Sequence, residues 1–100
     1  MDVTGFKINV NGLNVDQDIE FRLSRDEVDG LSSTEVKATI IYVLNNAAPG
    51  LGAIASVFIL DKINDIQSRT GISGASVQMS IRNGVSLSGW NVGGIETPWW

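Results

Sequence analysis

The sequence predicts an α+β two-layer sandwich of order ββααββ, a four-stranded, mainly antiparallel sheet with two helices on one face. Three observations carry this. Asn11-Gly12 and Asn83-Gly84 each lie between runs of alternating apolar residues, a strong short-range hairpin signal. Between these hairpins the apolar period changes from that of a strand to that of a helix. The chain has 100 residues, which suits one core and one domain. It reads as an N-terminal hairpin over residues 4–23, a helical hairpin over 32–70, a C-terminal hairpin over 75–92 and a Trp-rich tail over 93–100.

In the first hairpin Phe6, Ile8 and Val10 alternate before the turn. Leu13, Val15, Ile19, Phe21 and Leu23 keep one parity after it. A two-residue turn at Asn11-Gly12 pairs Val10 with Leu13 and Ile8 with Val15, so apolar partners share a face. The step over residues 16–18 is a candidate for a bulge or for the end of pairing.

Ser24 with Glu27, and Ser32 with Glu35, both have the capping-box spacing of serine and glutamate three residues on. The first opens only a short turn, because Gly30 follows. The second opens a helix whose stripe is Val36, Ile40, Val43, Leu44 and Ala47. A strand is the competing reading there, since residues 39–43 are rich in β formers. Pro49-Gly50 breaks the chain. A single second helix is expected over residues 51–69, with Leu51, Ala55, Phe58, Ile59, Lys62, Ile63 and Ile66 near one face and Gly71 as its stop. In the last hairpin Val77, Met79 and Ile81 alternate before the turn, and Val85 and Leu87 after it. A three-residue turn with Gly84 in the left-handed region pairs Ile81 with Val85 and Met79 with Leu87. Ser80, Ser86 and Ser88 then face solvent.

The chain contains no cysteine and no histidine. Disulfides, thiolate nucleophiles and thiolate metal sites are absent, and so are the usual neutral-pH proton shuttle and the commonest metal ligand. Serine and cysteine triads of the usual kind lack their base. The expectation is a protein that is not an enzyme and carries no cofactor or metal. Seven basic residues stand against 11 acidic ones, a net charge of −4. Residues 16–35 hold seven of the acids and two arginines, so the charge is concentrated. Such a surface repels phosphate backbones, and nucleic acid is not an expected partner. No basic segment followed by an apolar stretch opens the chain, so no signal peptide is visible. A cytoplasmic protein and a processed secreted form both fit.

Three patterns resemble ligand or catalytic constellations. Gly50-Leu51-Gly52-Ala53-Ile54-Ala55 matches G-x-G-x-x-A, one form of the dinucleotide fingerprint. No parallel strand with a terminal acid follows it, so close packing in a helical hairpin is the favoured reading. Asp16, Asp18 and Glu20 alternate, so their carboxylates share one outward strand face. They lack the loop carbonyls of a calcium site and read as a solvated face that discourages edge pairing. Asp61 and Asp65 read as the polar side of an amphipathic helix.

Two features point to contact with something else. Residues 38–60 form a run of 23 without a charge, interrupted by Asn45, Asn46, Pro49 and Gly50. Two short apolar helices fit this better than one membrane span. All three tryptophans, Trp90, Trp99 and Trp100, lie in the last 11 residues. Indole rings suit sites with one apolar and one wet side. The ββααββ outline and size resemble small killer-toxin-like α/β sandwiches, at the level of outline alone, and no residue role is carried over. The leading expectation is a binding module for a protein partner or for self-association. Its candidate contacts are Trp90, Trp99, Trp100, Val57, Phe58 and Leu60. The alternative is a small membrane-active protein of killer-toxin or bacteriocin type, whose helical hairpin over residues 38–60 engages a bilayer surface.

Overall fold

Alternation decides the sheet. β1 (Asp2–Asn11) and β2 (Asn14–Ser24) form the first hairpin, and β3 (Gly74–Arg82) and β4 (Ser86–Ile95) the second. The computed structural model describes residues 1–97. The four strands form one antiparallel sheet in the order β1-β2-β3-β4, with β1 and β4 as its edges. Between the hairpins run α1 (Arg25–Asp29), α2 (Thr34–Ala47), α3 (Leu51–Asp61) and α4 (Ile63–Arg69). The α+β class and the ββααββ order predicted from the sequence are observed.

β2 shows the logic most clearly. Ile19, Phe21 and Leu23 point inward opposite Met79, Val77 and Ala75 of β3, and all six are buried. Val28, Leu31, Ile40, Leu44, Leu51, Ala55, Ile59 and Ile66 complete the core from the helical side. The expected capping box of α1 is present: Ser24 Oγ accepts from the Glu27 N–H, and the Glu27 carboxylate accepts from the Ser24 N–H. α2 is helical through residues 39–43, so the strand reading of that segment fails.

Four local expectations are corrected. The N-cap of α2 is Ser33, not Ser32; the Ser33 hydroxyl accepts from the Val36 N–H. The single helix over residues 51–69 is two helices, broken at Lys62. The break turns Ile66 into the core and places Asp65 beneath β4, where it accepts a bond from Trp90. The first hairpin pairs Val10 with Val15 and Asn11 with Asn14, two residues out from the expected register. Gly12 is the first central residue of that turn and takes φ +63°, as a type II′ turn requires. β2 runs without interruption through residues 16–18, and the irregularity falls in β1 between Val3 and Gly5.

The second hairpin is also shifted. Asn83 (φ 54°) and Gly84 (φ 71°) are both left-handed, and the Val85 N–H bonds the Arg82 carbonyl. Val85 stays in the turn, so Arg82 pairs with Ser86 and Ile81 with Leu87, and a further register shift between Ser80 and Ile81 pairs Met79 with Trp90. The shift lets Leu87, Trp90 and Val92 all contribute to the inner side, where unbroken alternation would turn Leu87 away from the other two. Ser86 and Ser88 are exposed as expected, while Ser80 bonds Asp18.

Gly52 explains the glycine-rich pattern. A Cβ there would lie 2.5 Å from the Ile41 carbonyl oxygen and 2.6 Å from Asn45 Oδ1. The Asn45 side chain accepts from the Gly52 N–H at 2.7 Å, so this end of α3 is capped by α2. The glycine serves contact between two helices, and no strand precedes it. Gly52→Ala is expected to lower stability by roughly 1–3 kcal/mol, the usual cost of overpacking. A thermal melt checks this.

Candidate interaction surface

The two faces of the sheet differ in what they leave open. The outer face is polar. Asp16 accepts two parallel bonds from Arg82, at 2.9 and 3.0 Å. Asp18 accepts from Asn9 and from Ser80. Glu20 accepts from Thr4 at 2.7 Å and from Gln78 at 2.5 Å, and Asn91 donates to Gln78 at 3.2 Å. The three carboxylates share the outward face as the alternation predicts. They sit on a central strand, however, and tie β1 to β2 to β3. The reading of them as guards of a sheet edge is therefore corrected. Gly5 and Gly89 carry no side chain, and beside them the face forms a shallow groove of about 630 Å³ that includes Lys7, Asp18, Glu20, Gln78 and Asn91. Among the described residues no three acidic groups are placed to hold a metal ion.

The inner face is apolar but only partly covered. A strand of 11 residues is about 36 Å long. A helix of 14 residues reaches about 21 Å. The helices therefore cover the end of the sheet that holds Phe21 and Val77, and the β1–β2 hairpin projects past them. Phe6, Ile8, Val10 and Val15 share the inner face with Ile19, since Phe6 pairs with Ile19 and Val10 with Val15. Yet Ile8 is 57% exposed and Val10 74%, and Leu13 at the turn is fully exposed. Asn83 braces this tip: its N–H and side-chain oxygen bond the carbonyl and N–H of Val15, and its amide donates to Asn14.

The residues singled out from the sequence fall on separate elements. Val57 and Leu60 lie one turn apart on α3, 55% and 38% exposed, while Phe58 packs against the core. Trp90 is half-buried on the inner side of β4. Its indole N–H donates to Asp65 at 2.8 Å, and the Lys62 ammonium lies 5.9 Å from the ring centre. Trp90 thus clamps α4 to β4. Trp99 and Trp100 lie outside the described residues. α3 packs chiefly on α2, while the helix that β4 chiefly meets is α4, so the structure does not gather Val57, Leu60 and Trp90 into one patch. Among the described residues no helix is long and apolar enough to cross a membrane.

No family model, curated protein or solved structure matches this chain. The surface must therefore be read from its own chemistry. Sequence reasoning missed the exposed hairpin face, because alternation shows which side chains share a face and not whether a second layer covers it. Comparing strand with helix length would have shown the shortfall.

Hydrogen bonds set the ionisation of the acids. The Trp90 indole N–H, then the Arg69 and Lys62 charges, hold the Asp65 carboxyl below its ordinary value of 3.8. Arg82 does the same for Asp16, and Gln78 and Thr4 do so for Glu20, whose ordinary value is 4.5. A carboxyl lowered in the folded state stabilises the fold above its ordinary value and loses that effect as pH falls through the lower folded value. Stability is expected to drop on acidification below about pH 4. In Trp90→Phe the Asp65 titration should move up towards 3.8, which NMR of its side-chain carboxyl carbon measures.

Proposed function

We propose that this chain is a small non-enzymatic binding module that works by self-association or by holding a protein partner. The observation that carries this is the uncovered apolar side of the first hairpin, Phe6, Ile8, Val10, Leu13 and Val15, on a strand pair otherwise built into the sheet. Single exposed apolar residues are ordinary on soluble proteins; a contiguous row on a rigid element is the mark of a contact surface. Val57 and Leu60 supply a second, smaller patch on α3, and the terminal Trp99 and Trp100 would add to the contact. The lack of cysteine and histidine and the hydrogen-bonded state of Asp16, Asp18 and Glu20 support binding over catalysis. The acidic balance favours a basic or neutral partner over nucleic acid.

The second reading, a membrane-active toxin-like protein, draws on α3, which carries no charge from Leu51 to Leu60 and turns Val57 and Leu60 outward. Dye release from anionic or neutral liposomes would favour it, and intact liposomes would count against it.

The double variant Val10→Ser, Leu13→Ser separates contact from folding, because both side chains are mainly exposed. Burying either side chain is worth about 1.5–3 kcal/mol. Association measured by light scattering across a concentration series should weaken by at least about tenfold, since 1.4 kcal/mol is one decade. The melting temperature should barely change. Equal association by the variant and the parent would contradict the role given to this face.

A further inference from the structure

We infer that the partner is a second copy of this chain, joined edge to edge through β1 in a two-fold antiparallel pairing centred on Ile8. This rests on the binding reading above and names its occupant.

Hydrogen-bond parity comes first. The Val15 N–H and carbonyl both bond Asn83, on the β3 side. They are therefore not available to Val10, and Val10–Val15 is a non-hydrogen-bonded pair of the first hairpin. Alternation continues along β1 without a shift as far as Gly5. Asn11, Asn9 and Lys7 thus spend their backbone groups on β2. Val10, Ile8 and Phe6 turn theirs to the free edge. Since β1 is terminal in the sheet, these three residues present a row of N–H and carbonyl groups with no strand partner among the described residues.

Side chains then choose the register. Only pairings that match outward-facing residues satisfy the new hydrogen bonds. Setting Ile8 opposite Ile8 of the second copy sets Phe6 opposite Val10 and forms six backbone bonds in all. Every inner-face contact is then apolar to apolar. On the outer face Lys7 comes to lie beside Asn9. Of the two registers one step away, Phe6 opposite Ile8 brings the two Lys7 ammonium groups directly opposite, which is unfavourable. Ile8 opposite Val10 sets Phe6 against Gly12, past the end of β1, and loses bonds. Charge does not oppose the chosen pairing: the chain carries −4, but β1 holds one acid, Asp2, and one base, Lys7.

The other edge is a poorer template. β4 has a register shift near Ser88 and three glycines, Gly89, Gly93 and Gly94. Bulges break edge pairing, and glycine-rich strands specify register weakly. Residues 5–11 of β1 contain neither a shift nor a proline. The two-fold axis stands perpendicular to the sheet. One eight-stranded sheet results, with both helical layers on the same side and the Phe6, Ile8 and Val10 rows of both copies adjoining. A strand-edge contact is small for a specific interface, so the dimer should be reversible and concentration-dependent.

Ile8→Pro removes an outward backbone N–H together with the Ile8 side chain and leaves the β1–β2 ladder intact. Ile8→Ala, which keeps the N–H, serves as the side-chain control and should weaken pairing less. Sedimentation velocity of the full chain should show a monomer–dimer equilibrium that the proline variant weakens at least tenfold, while circular dichroism keeps the parent spectrum. Should the variant misfold, a second test does not depend on it. The chain has no cysteine, so Lys7→Cys chains can be mixed with Asn9→Cys chains under mild oxidation. The non-hydrogen-bonded pairing puts these two positions within disulfide reach. The mixed disulfide should exceed the half of product that random pairing gives. A dimer unaffected by Ile8→Pro, or disulfides at the random ratio, would overturn the edge pairing while leaving an apolar contact elsewhere. A parent chain monomeric at every concentration would overturn the self-association.

Discussion

β2 is the constraint on which the rest depends. It is a central strand, so both its edges must be hydrogen-bonded and both its faces must be provided for. Its inner side chains, Ile19, Phe21 and Leu23, meet Met79, Val77 and Ala75 and are buried beneath the helices. Its outer side chains, Asp16, Asp18 and Glu20, would be a row of like charges if left alone. Each instead accepts hydrogen bonds from a neighbouring strand: Arg82 and Ser80 from β3, Asn9 and Thr4 from β1, with Gln78 joining Glu20 to Asn91 on β4. The acidic face is thereby a cross-strand lattice, and it fixes register from the side opposite the core.

The second consequence is geometric. At about 33–36 Å the ten- and eleven-residue strands outreach the 14-residue α2, which spans about 21 Å and is the longest helix among the described residues. A helical layer therefore leaves one end of the sheet bare on its apolar side. The molecule measures 40 × 26 × 24 Å, and an 11-residue strand of about 36 Å comes close to its longest dimension. The helices secure the covered end through specific contacts. Asn45 holds the start of α3, and Trp90 holds Asp65 of α4. The uncovered end is stiffened by Asn83, which bonds the backbone and side chains of β2 near its turn. A stiff, apolar, uncovered strand pair at an open sheet edge is suited to recognition, because little conformational entropy is lost when it is covered.

Much of the fold was legible because it rests on short-range patterns. Alternation placed Ile19, Phe21, Leu23, Val77 and Met79 on one face, and the Ser24–Glu27 box placed α1. Register was less legible. Two turns that share the Asn-Gly dipeptide use it differently: Gly12 is the first central residue of its turn, while Asn83 and Gly84 are both central in theirs. The dipeptide marks a turn but does not number it. The break at Lys62 left no proline or glycine signal; contacts of Asp65 and Ile66 with the rest of the fold set it. For the proposed contact surface, Val57 and Leu60 were readable as apolar positions on an uncharged helix. The bare face of Phe6, Ile8 and Val10 was not, since burial depends on what packs above a strand.

Amide hydrogen exchange of β1 at low and high protein concentration is the sharpest test of whether its free edge is the contact between copies. In a monomer the Lys7 and Asn9 amides are bonded to β2 and exchange slowly, while those of Phe6, Ile8 and Val10 face solvent and exchange fast. With β1 paired between two copies, raising the concentration slows exchange at Phe6, Ile8 and Val10 and leaves Lys7 and Asn9 nearly unchanged. Fast exchange at these three amides under conditions where the chain is shown to associate would contradict that pairing.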